Sequence, residues 1–163
     1  MRHILRQREL CPDHWRYLGE PIAAGDAVIV PFAELRREPE RWQAWDGRLG
    51  VRLGPPDRVE ELAEDLARLD LVAVEFPSPG EGRGYSQAWL LRERLGFRGE
   101  LRAFGEGVRQ DLVLLLARCG FDTLELAAGE DVAAAQRAFS RYSVAYQPGA
   151  AQLCVRRQRF FAA

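Results

Sequence analysis

LVAVEFPSPGEGRGYSQAWLLRERLGFRGELRAFGEGVRQDLVLLLARCGFDTLEL, residues 71–126, decides the fold. It opens on Leu71–Phe76, an apolar run rich in β-branched residues, and breaks at Pro77–Ser86, where prolines and glycines stop a strand. A helical run, Ser86–Leu95, follows; then come the strand-like GELRAFG (Gly99–Gly105), a second helical run, Val108–Cys119, and FDTLEL (Phe121–Leu126). Strand, glycine-rich turn, helix, strand, helix, strand is the repeat of a parallel α/β sheet. The expected architecture is α/β, a mostly parallel sheet of about five strands with helices on both faces. Repeated βα units also allow a partial (β/α) barrel.

Towards the N-terminus the same logic continues. After GPPD, Asp57 is placed to cap a helix, with Glu60 three residues on as its partner. Val59, Leu62, Ala63, Leu66 and Leu69 form its apolar stripe. GRLGVRLG (Gly47–Gly54) reads as a strand, with Leu49, Val51 and Leu53 alternating against Gly50 and Arg52. AVIVPF (Ala27–Phe32) is another. Pro39 divides the segment Phe32–Trp45 into two short helical turns. Residues 1–25, polar and interrupted by Pro12 and Pro21, read as an arm or a short antiparallel edge. On the C-terminal side, Asp131–Tyr142 is an Ala-rich amphipathic helix, SVAYQPG (Ser143–Gly149) a last strand, and residues 150–163 a basic, aromatic tail. Glycines 96 and 120 stand where the two central helices should end.

At 163 residues the chain is one domain, residues 1–163, long enough to bury a core. A net charge of -1 supplies no basic field for nucleic acid. All 23 basic residues are Arg, so Schiff-base chemistry and a P-loop lysine are excluded. Cys11, Cys119 and Cys154 form no CxxC pair, and His3, Cys11 and His14 have no second pair to complete a metal site. No run reaches the ~20 apolar residues of a membrane span and no signal-peptide core is present, so a cytoplasmic location is expected.

Ligands of parallel sheets gather beyond the strands' carboxyl ends. There the richest segment is Gly80–Ser86, where Gly82, Arg83, Gly84, Tyr85 and Ser86 could hold a sulfate or phosphate against a helix start. Its G-x-G-x-G spacing is neither a dinucleotide fingerprint nor a P-loop, and no cofactor is signalled. The structural alternative is a plain turn with Arg83 paired to Glu81 or Glu75. Glu75, one residue from the strand's end, is either a proton-handling carboxylate or the partner of Arg102 on the neighbouring strand. Glu106, in the next loop, is the second candidate base, and Glu125 repeats the position of Glu75. No Ser-His-Asp or Cys-His set exists, since both histidines fall in the first 14 residues.

GRGYS (Gly82–Ser86), LLRERLGFRGELRA (Leu90–Ala103) and RCGFD (Arg118–Asp122) together resemble an uncharacterised bacterial domain-of-unknown-function family, over about a third of the chain. Its genes typically sit beside assimilatory sulfite or nitrite reductase. Members often carry the label "oxidoreductase probably involved in sulfite reduction". The chain departs from the usual family pattern at Glu81, at Trp89 and across Gly105–Val108. The resemblance assigns no catalytic residue. It implies an accessory protein of sulfite or nitrite reduction that contacts the reductase; the residues of the Gly82–Ser86 turn add a small anion held there. Two rivals stand beside it. One is an enzyme on a phosphorylated or sulfonated metabolite, with Arg83 on the anion and Glu75 or Glu106 handling the proton. The other is a homo-oligomeric module joined through Trp42–Trp45 or the Phe160–Phe161 tail.

Overall fold

Leu71, Val72, Ala73 and Val74 are completely buried, as a strand covered on both faces must be. In the computed structural model, which describes residues 2–6 and 9–139, this strand is the sixth of eight. The eight are β1 (His3–Arg6), β2 (Glu9–Pro12), β3 (Trp15–Tyr17), β4 (Ala27–Pro31), β5 (Leu49–Leu53), β6 (Leu71–Glu75), β7 (Glu100–Phe104) and β8 (Thr123–Leu124). They form one sheet in the order β2-β1-β8-β7-β6-β5-β4-β3. From β3 to β8 every pair is parallel and sheet neighbours are chain neighbours. β1 joins β8 and β2 antiparallel, so the sheet is mixed and has eight strands, not about five.

An order that never reverses sends each right-handed crossover to the same side. The helices therefore cover one face, and the expectation of helices on both faces is corrected. α1 (Phe32–Arg37), α2 (Pro39–Gln43), α3 (Arg83–Trp89), α4 (Val113–Arg118) and α5 (Val132–Ala138) bury Leu35, Trp42, Ala88, Leu116 and Ala135 in one large core. Val51, Leu53, Val72, Val74 and Leu101 meet them from the sheet. The opposite face carries a separate small cluster of Trp15, Ile29, Leu71 and Ala73, with Tyr17 and Phe104 against it.

The sheet cannot be flat. β2 and β3 stand at its two edges, yet only Asp13 and His14 separate them in the chain. Three Cα–Cα steps reach at most ~11 Å. A flat sheet of eight strands would hold its edges ~33 Å apart. The strands must curl to bring the edges together, giving a half-barrel with the helices outside. The partial-barrel alternative describes the chain, and residues 1–25 are not an arm but the expected antiparallel edge, β1 with β2, together with β3 and the link.

Asp13 holds that link in place. Its carboxylate accepts from both terminal nitrogens of Arg102 at 2.9 and 3.0 Å, from Arg2 Nε at 2.9 Å and from the Trp15 amide at 3.1 Å. Both the Asp13 and Arg102 side chains are wholly hidden from solvent. Arg102 also reaches Glu100, which takes the Thr123 hydroxyl at 2.7 Å and Arg6 at 2.9 Å. Across the seam Arg2 donates to the Trp15 carbonyl at 2.8 Å and to Glu20 at 3.1 Å. Trp15 itself lies over Gly50, where an added Cβ would meet its ring at 3.2 Å.

Several local expectations shift. Asp57 does not cap a helix; it turns back to accept from the Gly54 amide at 2.7 Å. The following stripe buries Val59 and Leu62 as expected, but on two 3-10 turns, Val59–Leu62 and Leu66–Arg68. α3 begins at Arg83 and runs into a π-helical turn, Leu90–Arg94. α4 occupies only the second half of its expected run. Pro39 separates α1 from α2 as predicted. Asp131 caps α5, accepting from the Ala134 amide at 3.1 Å. The strand Ser143–Gly149 and the tail lie outside the described residues.

Removing one member of a buried ion pair strands the other, at a cost of about 3–5 kcal/mol. Asp13→Asn is therefore expected to lower stability by about that much in urea unfolding. Replacing both partners, Asp13→Leu with Arg102→Met, should cost clearly less. Burial pushes the Asp13 carboxyl up, but Arg102, the Trp15 amide and Arg2 outweigh it and hold it below its ordinary value. A lowered folded-state value stabilises at pH above the unfolded value and is lost as pH falls through the folded one. The gap between parent and Asp13→Asn should accordingly shrink below about pH 4.

Candidate functional site

Because β3 to β8 run parallel, their carboxyl ends share one rim of the half-barrel. Alternation decides what faces the hollow there. Leu49, Val51 and Leu53 point to the helices, so Gly50 and Arg52 stand on the concave side. By the same rule β6 presents Leu71, Ala73 and Glu75, and β7 presents Glu100, Arg102 and Phe104. The register stacks these residues in rows: Arg52 lies opposite Ala73, and Glu75 opposite Phe104.

Arg102, in the same row as Ala73 and Arg52, is neutralised by Asp13 and Glu100. The Tyr17 hydroxyl donates to Glu125 at 3.0 Å. Its ring lies 5.9 Å from Phe104, with the Arg2 guanidinium 4.5 Å above it. Burial and then the Glu125 charge push the Tyr17 hydroxyl far up from its ordinary value. It remains a donor throughout the neutral range.

Two rim charges differ from the rest. Arg52 is exposed, Glu75 is half-buried, and neither has a hydrogen-bonding or ionic partner among the described residues. Glu75 Oε2 lies 3.6 Å from the point where a Cβ on Gly54 would stand, as does Asp57 Oδ2. The missing side chain leaves space on the β5 side of the Glu75 carboxylate.

The residues expected to form a site divide. Glu75 faces the hollow, but it does not pair with Arg102. One pleat separates them, and Arg102 turns to Asp13. Glu106 is exposed in the turn between Gly105 and Gly107. That turn is clamped to the neighbouring one, the Gly107 amide donating to the Phe76 carbonyl at 2.7 Å. Gly105 has φ +107° and would meet the same carbonyl at 2.6 Å with any Cβ.

The Gly82–Ser86 turn is already filled by the chain's own anion. Arg83 donates to Glu81 through Nε at 2.9 Å, Nη2 at 2.8 Å and its backbone amide at 3.0 Å. These bonds hold the Glu81 carboxyl down to about 2. Gly84 is demanded by packing, since an added Cβ would stand 2.5 Å from the Phe76 ring. Tyr85 meets that ring edge-on at 5.0 Å. Gly82 and Ser86 are exposed. Arg52 and Tyr17 were absent from the sequence reading of the site. Arg52 was legible only as the polar member of an alternating strand, and Tyr17 fell in the presumed arm.

The glycines of this turn should separate on mutation. Gly84→Ala is expected to cost about 1–3 kcal/mol by overpacking Phe76. Gly80 has open space around its Cβ position and no left-handed φ. Gly80→Ala should be neutral or stabilising by up to about 1 kcal/mol, through the unfolded chain. Thermal unfolding of the two variants checks both.

No curated protein matches the chain. Residues 50–154 match the model of a family described as bacterial protein of unknown function, DUF934. The matched span carries Arg52, Glu75, Arg102 and Phe104, while Asp13 and Tyr17 lie before it. As that span is well over half the sequence, the chain belongs to the DUF934 family.

Proposed function

We propose that this protein is an accessory of assimilatory sulfite or nitrite reduction that binds a small ligand by its acid group in the mouth of its half-barrel. The observation carrying the binding half is Arg52. It is a cation on the concave face with no partner among the described residues, while Arg2, Arg6 and Arg102 on the same side are committed to carboxylates. A planar guanidinium with free donors takes an oxyanion bidentately. The mouth is also where a parallel βα sheet gathers its ligands. The reductase half follows from the resemblance carried by Gly82–Ser86, Leu90–Ala103 and Arg118–Asp122. The rival enzyme uses Arg83 for the anion, and Arg83 forms an exposed salt bridge with Glu81.

Titration calorimetry with sulfite, nitrite, sulfate and phosphate tests the binding half. Losing a hydrogen bond to a charged group costs ~1.5–3 kcal/mol, so Arg52→Ala should weaken binding about 10- to 100-fold. Arg83→Ala should leave it unchanged. Equal affinity in the parent and Arg52→Ala would remove Arg52 from the site. A reductase that never co-purifies with the protein, together with normal sulfite and nitrite assimilation in a deletion strain, would remove the accessory role.

A further inference from the structure

The free carboxylate beside the free guanidinium says more about the ligand, on the footing of the mouth site just proposed. A ligand that were only an anion would come to Arg52 against the repulsion of Glu75, whose charge has no partner to offset it. A ligand that were only a cation would meet the converse problem at Arg52. Every other carboxylate described on this face has a donor: Asp13 and Glu100 have arginines, and Glu125 has Tyr17.

Glu75 and Arg52 stand on adjacent strands, Glu75 two residues beyond the Arg52 partner Ala73. Neighbouring strands lie ~4.8 Å apart and two residues advance ~6.6 Å, which puts the two Cα atoms about 8 Å from each other. Their side chains are close enough to share a small molecule, yet they form no ion pair with each other. At Gly54 the Glu75 carboxylate borders the same small space as the Asp57 carboxylate and the Pro56 ring, and Phe104 and Tyr17 give the mouth an apolar flank.

We infer that the mouth binds a small zwitterion, an amino acid whose acid group sits on Arg52 and whose ammonium sits on Glu75. Both charges of the site are then neutralised in one step. Recognition depends on the spacing of the two groups, and Glu75 discriminates against plain anions.

Calorimetry on the unmodified protein decides this, with glycine, β-alanine and γ-aminobutyrate as probes, acetate and ethylammonium as single-charge controls, and sulfite beside them. At least one amino acid should bind tenfold or more tighter than acetate, ethylammonium and sulfite. Arg52→Ala and Glu75→Gln should each abolish that advantage. Acetate or sulfite binding as tightly as every amino acid, with Glu75→Gln indifferent or improved, would overturn the zwitterion and leave the anion reading standing. No binding by any probe would overturn both. The probe comparison needs no variant, so it stands even if one fails to fold; circular dichroism checks the variants.

Discussion

Two residues, Asp13 and His14, connect the opposite edges of an eight-stranded sheet, and most of the architecture follows from that short tether. It forces the curl, and the curl creates an inside. An inside lined by strands must be filled or hydrogen-bonded. Here part of it is filled by Trp15, Ile29, Leu71 and Ala73, and wired by Asp13, Arg102 and Glu100. Asp13 sits in the tether itself, so the group that closes the ring of strands also neutralises the guanidinium buried within it. Arg102 is at once interior filler and the means of holding the edges together.

The polar interior is divided into paired and unpaired charges. Asp13, Arg102 and Glu100 saturate one another. Tyr17 and Glu125 bridge β3 to the chain just past β8 with a single neutral donor. Arg52 and Glu75, on adjacent strands, stand near each other without contact. A protein that neutralises its buried charges so thoroughly could readily have paired Arg52 with Glu75. Their separation is what makes the rim a candidate site beside the glycine-rich turn.

How much of this was legible follows from how local each signal is. β4 to β7 were readable because they are short runs stopped by Gly or Pro, β-branched in β4 and β6, and the break at Pro39 needed no tertiary information. An antiparallel edge in residues 1–25 was readable, but the docking of β1 on β8 was not, because the partner of Leu5 lies at Leu124. Glycines in Gly80–Ser86 suggested a backbone cradle. Yet one of them is there for the Phe76 ring, and the positive helix start is answered by Glu81, two residues before Arg83. The Arg102 partner was sought on the next strand, but it comes from 89 residues away, at Asp13. No periodicity carries that information.

The position of β1 has a consequence for synthesis. Among the described strands β1 comes first in the chain and β8 last, yet β1 lies between β2 and β8. As a nascent chain leaves the ribosome from its N-terminus, the β1–β2 hairpin can form early but has no β8 to dock on until Leu124 has emerged. Through that interval it exposes an unsatisfied edge, which makes it the stretch most open to mispairing with another chain. Joining residue 5 to residue 124 adds a sequence-distant contact, the kind that slows folding.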